Sequence, residues 1–310
     1  MRIAILDLGT NTFHLLIADA NGNGFSQIYK SKTAVKLGEG AIHRNRIAPV
    51  PFKRGINALI QYGNIIRKHN PDRVLAFATS AIRSSVNGEA FVVEAGKKAG
   101  LDVKVISGAK EAELICYGVR QCLRMRTPSL IVDIGGGSTE FIIADDKTIF
   151  WKKSFDIGAA RLLEMFRPSD PATPQNVEAI EGFLEVQLKP LLKAVEKFPV
   201  TKLIGSSGSF DTFAEMIGYR FHRKNVIKDV NSYRFYMNEF HKLYEIILNS
   251  TLEQRMKMRG LVSMRVDMIV IASICTNFLL RRLGIHDMYL SKFALKEGAL
   301  WDILHKNDLR

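Results

Sequence analysis

Cysteine is scarce. The 310 residues hold three, Cys116, Cys122 and Cys275, an odd number with no metal-ligand spacing. That excludes a disulfide framework and a thiolate metal site, and predicts a reduced, cytoplasmic setting. Long apolar runs are missing as well. The best stretch, Met268 to Leu280, is shorter than the roughly 18 residues of a membrane span and contains Thr276 and Asn277, so no membrane association is expected. The chain reaches Asp7 before an apolar leader could form, so no signal segment is expected. No block of five or more consecutive Lys or Arg occurs, and basic residues do not alternate with aromatic ones. A DNA- or RNA-binding surface is therefore not expected.

The composition is otherwise that of an ordinary globular chain, 47% hydrophobic and 24% charged. Its length suits two domains of about 100–200 residues each. Acidic residues are outnumbered, 31 against 44 basic ones, for a formal net charge of +13. The surplus is uneven: residues 1–127 carry 19 basic and 9 acidic side chains, and residues 128–310 carry 25 and 22. A lopsided positive charge favours a polyanionic partner, although solubility alone would also account for it.

RIAILD (2–7) reads as a buried strand ending in an acid, 13–19 as a second strand, NGNG (21–24) as a hairpin turn and 25–32 as a third strand. A helix from Pro51 to His69 follows, then strand 74–78, a loop, helix 88–98, strand 103–106 and helix 109–122. After RMRTP the opening theme returns in SLIVDIGGGSTEFIIAD. Strand 148–155, helices 158–165 and 174–197, strand 202–205 and a helix to 217 come next, followed by helices 235–249, 251–258 and 265–283, strand 286–290 and a helix from 295. Strand–Asp–glycine turn–strand thus occurs twice, at 2–19 and 129–145. The duplication predicts two α/β domains, 1–127 and 128–310, facing each other across a cleft, with the last helix packing back on the first.

Five segments carry candidate chemistry. In Asp7-Leu8-Gly9-Thr10-Asn11-Thr12, a glycine turn offers consecutive backbone N–H groups to an anion, and Thr10, Asn11 and Thr12 add side-chain donors. Asp7 faces phosphate usefully only with a cation or water between them. In the second turn, Asp133 and Glu140 bracket Gly135, Gly136, Gly137 and Ser138, and hard carboxylates suit Mg²⁺ shared with phosphate oxygens. The third turn, Gly205-Ser206-Ser207-Gly208-Ser209, leads into a helix, where orphan N–H groups and the helix dipole attract anions. Arg83, in ATSAIRSSVN, lies past a strand's C-terminal end and could bind phosphate bidentately or form a surface salt bridge. Glu111, in ISGAKEAEL, shares a helix face with Ile115 one turn nearer the strand end. It is either dipole compensation or a general base for water.

Together DLGTNTFHLLIA, ATSAIRSSVN, ISGAKEAELI, VDIGGGSTEF, SFDIGAARL, GSSGSFDTFA and GLVSMRVDMI resemble the exopolyphosphatase/guanosine pentaphosphate phosphatase (Ppx/GppA) family, in a short form without the additional C-terminal helical domain of longer members. The resemblance implies duplicated ribonuclease H-like domains of the actin and sugar-kinase superfamily. It implies an exopolyphosphatase using Mg²⁺, or a phosphatase converting pppGpp to ppGpp, and a homodimer. Glu111 matches the family's catalytic glutamate, Arg83 its phosphate-binding arginine, and Asp133 and Glu140 the metal-linked acids of the GGGSTE turn, while Asp7 is a candidate metal ligand on the chemistry of its own turn. Thr10, Asn11, Thr12 and the Gly135–Ser138 backbone match the two phosphate loops, while Ser207 and Gly208 are phosphate-binding candidates from the third turn's place at a helix start. Arg265 matches an arginine reaching the site from the second domain. Lys110 stands where the family usually has a second acid. An actin-like ATPase or sugar kinase is a further alternative, opposed by the bulk of Phe210 and Phe213 where adenine would sit. A sensor that binds polyphosphate or an alarmone without turnover is another.

Overall fold

A computed structural model describes residues 1–21 and 24–305. The tip of the expected NGNG turn, residues 22 and 23, lies outside the described residues. The chain forms two compact units, Met1–Gly118 together with the chain from Leu295 onward, and Val119–Ala294.

In the first unit, Arg2–Leu8 (β1) reads as an unbroken apolar run because both faces are covered; Ile3, Ala4, Ile5, Leu6 and Leu8 are all buried. Thr12–Asn21 (β2) and Gly24–Ala34 (β3) complete an antiparallel meander. Pro49–His69 (α1) starts on a proline, whose missing N–H costs nothing there, and stops at Asn70 in the left-handed region. Arg73–Ala78 (β4) returns parallel to β1. Ser80–Ser84 (α2) and Gly88–Ala99 (α3) precede Val103–Val105 (β5), parallel to β4, and Gly108–Arg120 (α4) follows. The sheet order is β3-β2-β1-β4-β5.

The second unit repeats the scheme. Ser129–Ile134 (β6), Thr139–Ala144 (β7) and Ile149–Phe155 (β8) form its meander. Ala159–Phe166 (α5), Pro174–Gln187 (α6) and Lys189–Lys197 (α7) lead to Lys202–Ser206 (β9), parallel to β6. Gly208–Phe221 (α8), Ser232–Phe235 (β10), Met237–Leu248 (α9), Leu252–Met256 (α10), Met268–Leu283 (α11) and Asp287–Ser291 (β11) complete it. The order β8-β7-β6-β9-β11-β10 extends the first unit's order by one edge strand. Both sheets have the ribonuclease H-like pattern, a meander followed by parallel crossovers, and each unit has its own hydrophobic core. Leu295–His305 (α12) packs on β1 and α4 in the first unit, so closely that a Cβ on Gly298 would meet the Leu114 carbonyl.

Four details depart from the sequence reading. The chain leaves the first unit at Gly118, inside α4, and not at residue 127. Residues 119–127 belong with the second unit because Arg120 Nε donates to Asp145 O and Met125 N to Asp146 Oδ1. The helix expected over 174–197 is broken at Leu188, since Pro190 is tolerated only in a first turn. The loop after β4 holds the short α2, and β10 is a four-residue edge strand too brief for an alternating signal. Met268–Leu283 is a core helix, and no helix among the described residues is long and apolar enough to cross a membrane.

Candidate active site

In the first unit the candidate residues gather at the C-terminal ends of β1, β4 and β5. The Ser107 hydroxyl accepts from Lys110 N, an N-cap bond that starts α4 and places Glu111 in its first turn. Glu111 is 8% exposed. Arg83, in the last turn of α2, donates from Nη1 to Glu111 Oε2 at 2.7 Å and to the Ile106 carbonyl at 3.2 Å. Two positions read separately in the sequence are therefore one ion pair, and Arg83 fixes the carboxylate's orientation. Thr79 secures α2 to the end of β1 by donating to Leu8 O. Lys110 turns away from Glu111: its Nζ donates to Glu113 Oε1 at 2.8 Å and Asp302 Oδ2 at 3.1 Å, so its charge is used in holding α12.

The two glycine turns match residue for residue. A Cβ on Gly9 would lie 2.9 Å from Thr12 O, and one on Gly135 would lie 2.9 Å from Ser138 O. Only glycine lets the chain double back so closely. Asp7 stands opposite His14 across β1 and β2, as Asp133 stands opposite Glu140 across β6 and β7. Thr10 is buried, while Asn11 and Thr12 are half-buried.

In the second unit a polar row crosses four strands in register: Ser206 on β9, Asp133 on β6, Glu140 on β7 and Ser154 on β8. Ser206 Oγ donates to Asp133 Oδ2 at 2.6 Å. Ser138 Oγ and Ser154 Oγ donate to Glu140 Oε1 at 2.6 and 2.7 Å. The Ser138 hydroxyl thus serves Glu140, and the Ser138 carbonyl accepts from Gly135 N at 3.0 Å. Asp133 and Glu140 are both buried, and two carboxylates directly opposite on adjacent strands repel. Three hydroxyl donors offset part of that cost, and a hard cation would offset more. No group of three or more His, Cys, Asp or Glu among the described residues could cage a metal alone. Mg²⁺ does not ask for one, since it is commonly held by one or two carboxylates plus water and substrate phosphates. The Asp133–Glu140 pair fits that mode. Ser154, and the bond of Ser206 to Asp133, are not visible in the sequence because both depend on strand register.

The third turn is strained. Ser207 has φ 73° and ψ 179°, a region that essentially only glycine enters, and its hydroxyl donates to Ile134 O at 3.3 Å. Gly208 makes room for Arg265: a Cβ there would fall 1.7 Å from Arg265 Nη2. Arg265 also donates from Nη1 to Thr212 Oγ1 at 2.9 Å. Burial pushes its pKa down and Asp211 and Glu215 push it up, but an arginine remains charged throughout. Gly205 serves packing, because a Cβ there would strike the Phe210 ring. Phe210 and Phe213 are fully buried in the core, edge to face at 5.8 Å. Their bulk therefore carries no argument about an adenine pocket.

The model of the Ppx/GppA phosphatase family matches residues 16–307. The chain belongs to that family. It is similar to exopolyphosphatase 2 of Mycobacterium tuberculosis, 34% identical over 226 residues, covering 69% of this chain and 70% of that one. It is also similar to a crystal structure of an exopolyphosphatase from Cytophaga hutchinsonii, with 36% identity and a TM-score of 0.96 over 99% of this chain and 98% of that one. The crystal structure of the Aquifex aeolicus Ppx/GppA family member aligns at 26% identity and a TM-score of 0.81 over 99% of both chains.

Proposed function

We propose that this protein is an exopolyphosphatase that hydrolyses the terminal phosphoanhydride bond of inorganic polyphosphate and releases orthophosphate. The observation that carries the reading is the Arg83–Glu111 pair, a carboxylate at a helix start held by a guanidinium at 2.7 Å. The exopolyphosphatase names of the relatives favour the same substrate.

Glu111 orients a water and accepts its proton as the oxygen attacks the terminal phosphorus. The bridging oxygen leaves with the shortened chain. In the first unit Arg83 and the N–H groups of its glycine turn balance charge on phosphate oxygens, in the second Arg265 and its glycine turn do the same, and positioning and electrostatics supply most of the rate. Asp133 and Glu140 would hold Mg²⁺, with Asp7 as the corresponding acid of the first unit. The ion's chemistry is charge neutralisation on the phosphate oxygens.

The test is a phosphate-release panel of short and long polyphosphate, pppGpp, ATP and ADP, each with and without Mg²⁺. Mg²⁺-dependent release from polyphosphate is the expected result. Release from pppGpp alone would move the assignment to the alarmone phosphatase. Turnover of ATP alone would favour a kinase or ATPase, and polyphosphate binding without release would replace the enzyme with a sensor.

A further inference from the structure

The second glycine turn owes its orientation to the chain that follows β8. The first N–H groups of a helix have no acceptor within it, and α5 begins after Gly158 with no side-chain cap. Its orphan donors find their acceptors in the turn. Gly158 N donates to Gly137 O at 3.2 Å and Ala159 N to Gly135 O at 2.8 Å; Ala160 N and Arg161 N donate to Gly136 O at 2.9 and 3.1 Å. The carbonyls of Gly135, Gly136 and Gly137 therefore all face α5. In a trans peptide the C=O and the next N–H point in opposite directions. The N–H groups of Gly136, Gly137 and Ser138 are accordingly directed away from α5, as an anion nest requires. The approach depends on Gly158, where a Cβ would lie within 2.5 Å of Gly136 and Gly137 backbone atoms.

One side chain joins this backbone clamp. Arg161 is 6% exposed, and its Nε donates to Gly137 O at 3.1 Å. The buried guanidinium is therefore placed against the backbone of the turn. The first unit uses the same plan with different parts. After β3, Val35 N and Lys36 N donate to Asn11 O at 2.9 and 3.0 Å, and Gly38 N to Thr10 O at 3.4 Å. There the arginine is Arg54 of α1, which fastens the strap itself by donating to Val35 O and Lys36 O. In both units, the segment after the third strand gathers the carbonyls of the glycine turn, and an arginine backs it.

We propose that Arg161 is a positioning residue for the phosphate turn of the second unit, acting through Gly137 and not through substrate. The proposal rests on the functional reading above for its effect on turnover, but not for its effect on the turn. The test therefore has two readouts in Arg161→Ala and Arg161→Lys, both measured on the full chain. Without ligand, NMR-detected amide exchange of Gly158, Ala159 and Ala160, whose N–H groups donate to the turn carbonyls, should quicken about 5–10-fold in Arg161→Ala, the scale of one weakened hydrogen bond, while the β6 and β7 ladder amides stay unchanged. The Lys variant, which keeps one donor, should recover part of that protection. With polyphosphate, kcat/KM should fall about 10–100-fold, as small misplacements of a binding group do, again with partial recovery in Lys. Unchanged exchange of these amides in a folded Arg161→Ala, with KM raised, would make Arg161 a direct ligand and overturn the proposal. If the wild type releases no phosphate from polyphosphate, the functional reading fails, and the exchange comparison still decides the role of Arg161. Should Arg161→Ala fail to fold, Arg161→Lys and Arg161→Gln carry the same comparison.

Discussion

At the scale of single residues, the account turns on partners. Arg83 and Glu111 act as a unit, so their removal should not be additive. Arg83→Ala and Glu111→Gln should each lower kcat/KM for polyphosphate by about 10²–10⁴-fold, and the double variant should be little worse than the poorer single one. Additive losses across the four proteins would show that the pair has no joint role. Ser207 makes a second case. Its backbone conformation costs about 1–3 kcal/mol in any residue but glycine. Ser207→Gly should therefore unfold at higher urea than Ser207→Ala, since both lose the hydroxyl bond to Ile134 O and only glycine relieves the strain. Equal midpoints would remove the strain argument. These relations mark the limit of sequence reasoning. The types and spacing of Asp133, Glu140, Glu111 and Arg83 were legible as chemistry. The roles of Ser206, Ser154 and Arg161 were not, because each acts through a neighbour that only strand register or helix docking brings near.

At the scale of elements, the duplicated strand–turn–strand signal was readable because buried strands read as apolar runs and glycine marks the reversal between them. The short α2, the break at Leu188 and edge strand β10 were hidden by brevity. α4 shows how one helix serves two ends: its first turn holds Glu111, and Lys110 ties the same turn to Asp302 of α12. Lys110→Ala should cost about 0.2–1 kcal/mol of stability, as partly exposed pairs do, and leave kcat and KM within about twofold. A large fall in kcat would return Lys110 to the reaction. The β7–β8 turn supplies a pH marker. Backbone N–H groups of Thr148, then Lys147, hold the Asp145 carboxyl below its ordinary 3.8, against the opposing effect of desolvation. A depressed carboxylate stabilises the fold above its ordinary pKa, and that contribution is lost as pH falls through the lower folded value. Urea midpoints should hold from neutral pH to about 5 and fall below about 4, with a shallower fall in Asp145→Asn. Identical acid profiles would contradict the assignment.

At the scale of the whole molecule, the fold class followed from a repeat and the charge from simple counting. The surplus of 44 basic over 31 acidic side chains suits a chain of phosphates, and steering of that kind weakens as salt rises. Glu111, Arg83 and the first turn belong to one unit, and Asp133, Glu140, Ser207 and Arg265 to the other. The unit boundary was not legible, because α4 runs through it without any break in its pattern. The central claim is that the Glu111 carboxylate drives hydrolysis of polyphosphate. Its most direct measurement is orthophosphate release from polyphosphate with saturating Mg²⁺ by wild type and Glu111→Gln, with folding of both checked by thermal melts. The account predicts release by the wild type and a loss of about 10²–10⁴-fold in a normally folded variant. Equal rates in the two proteins would contradict it.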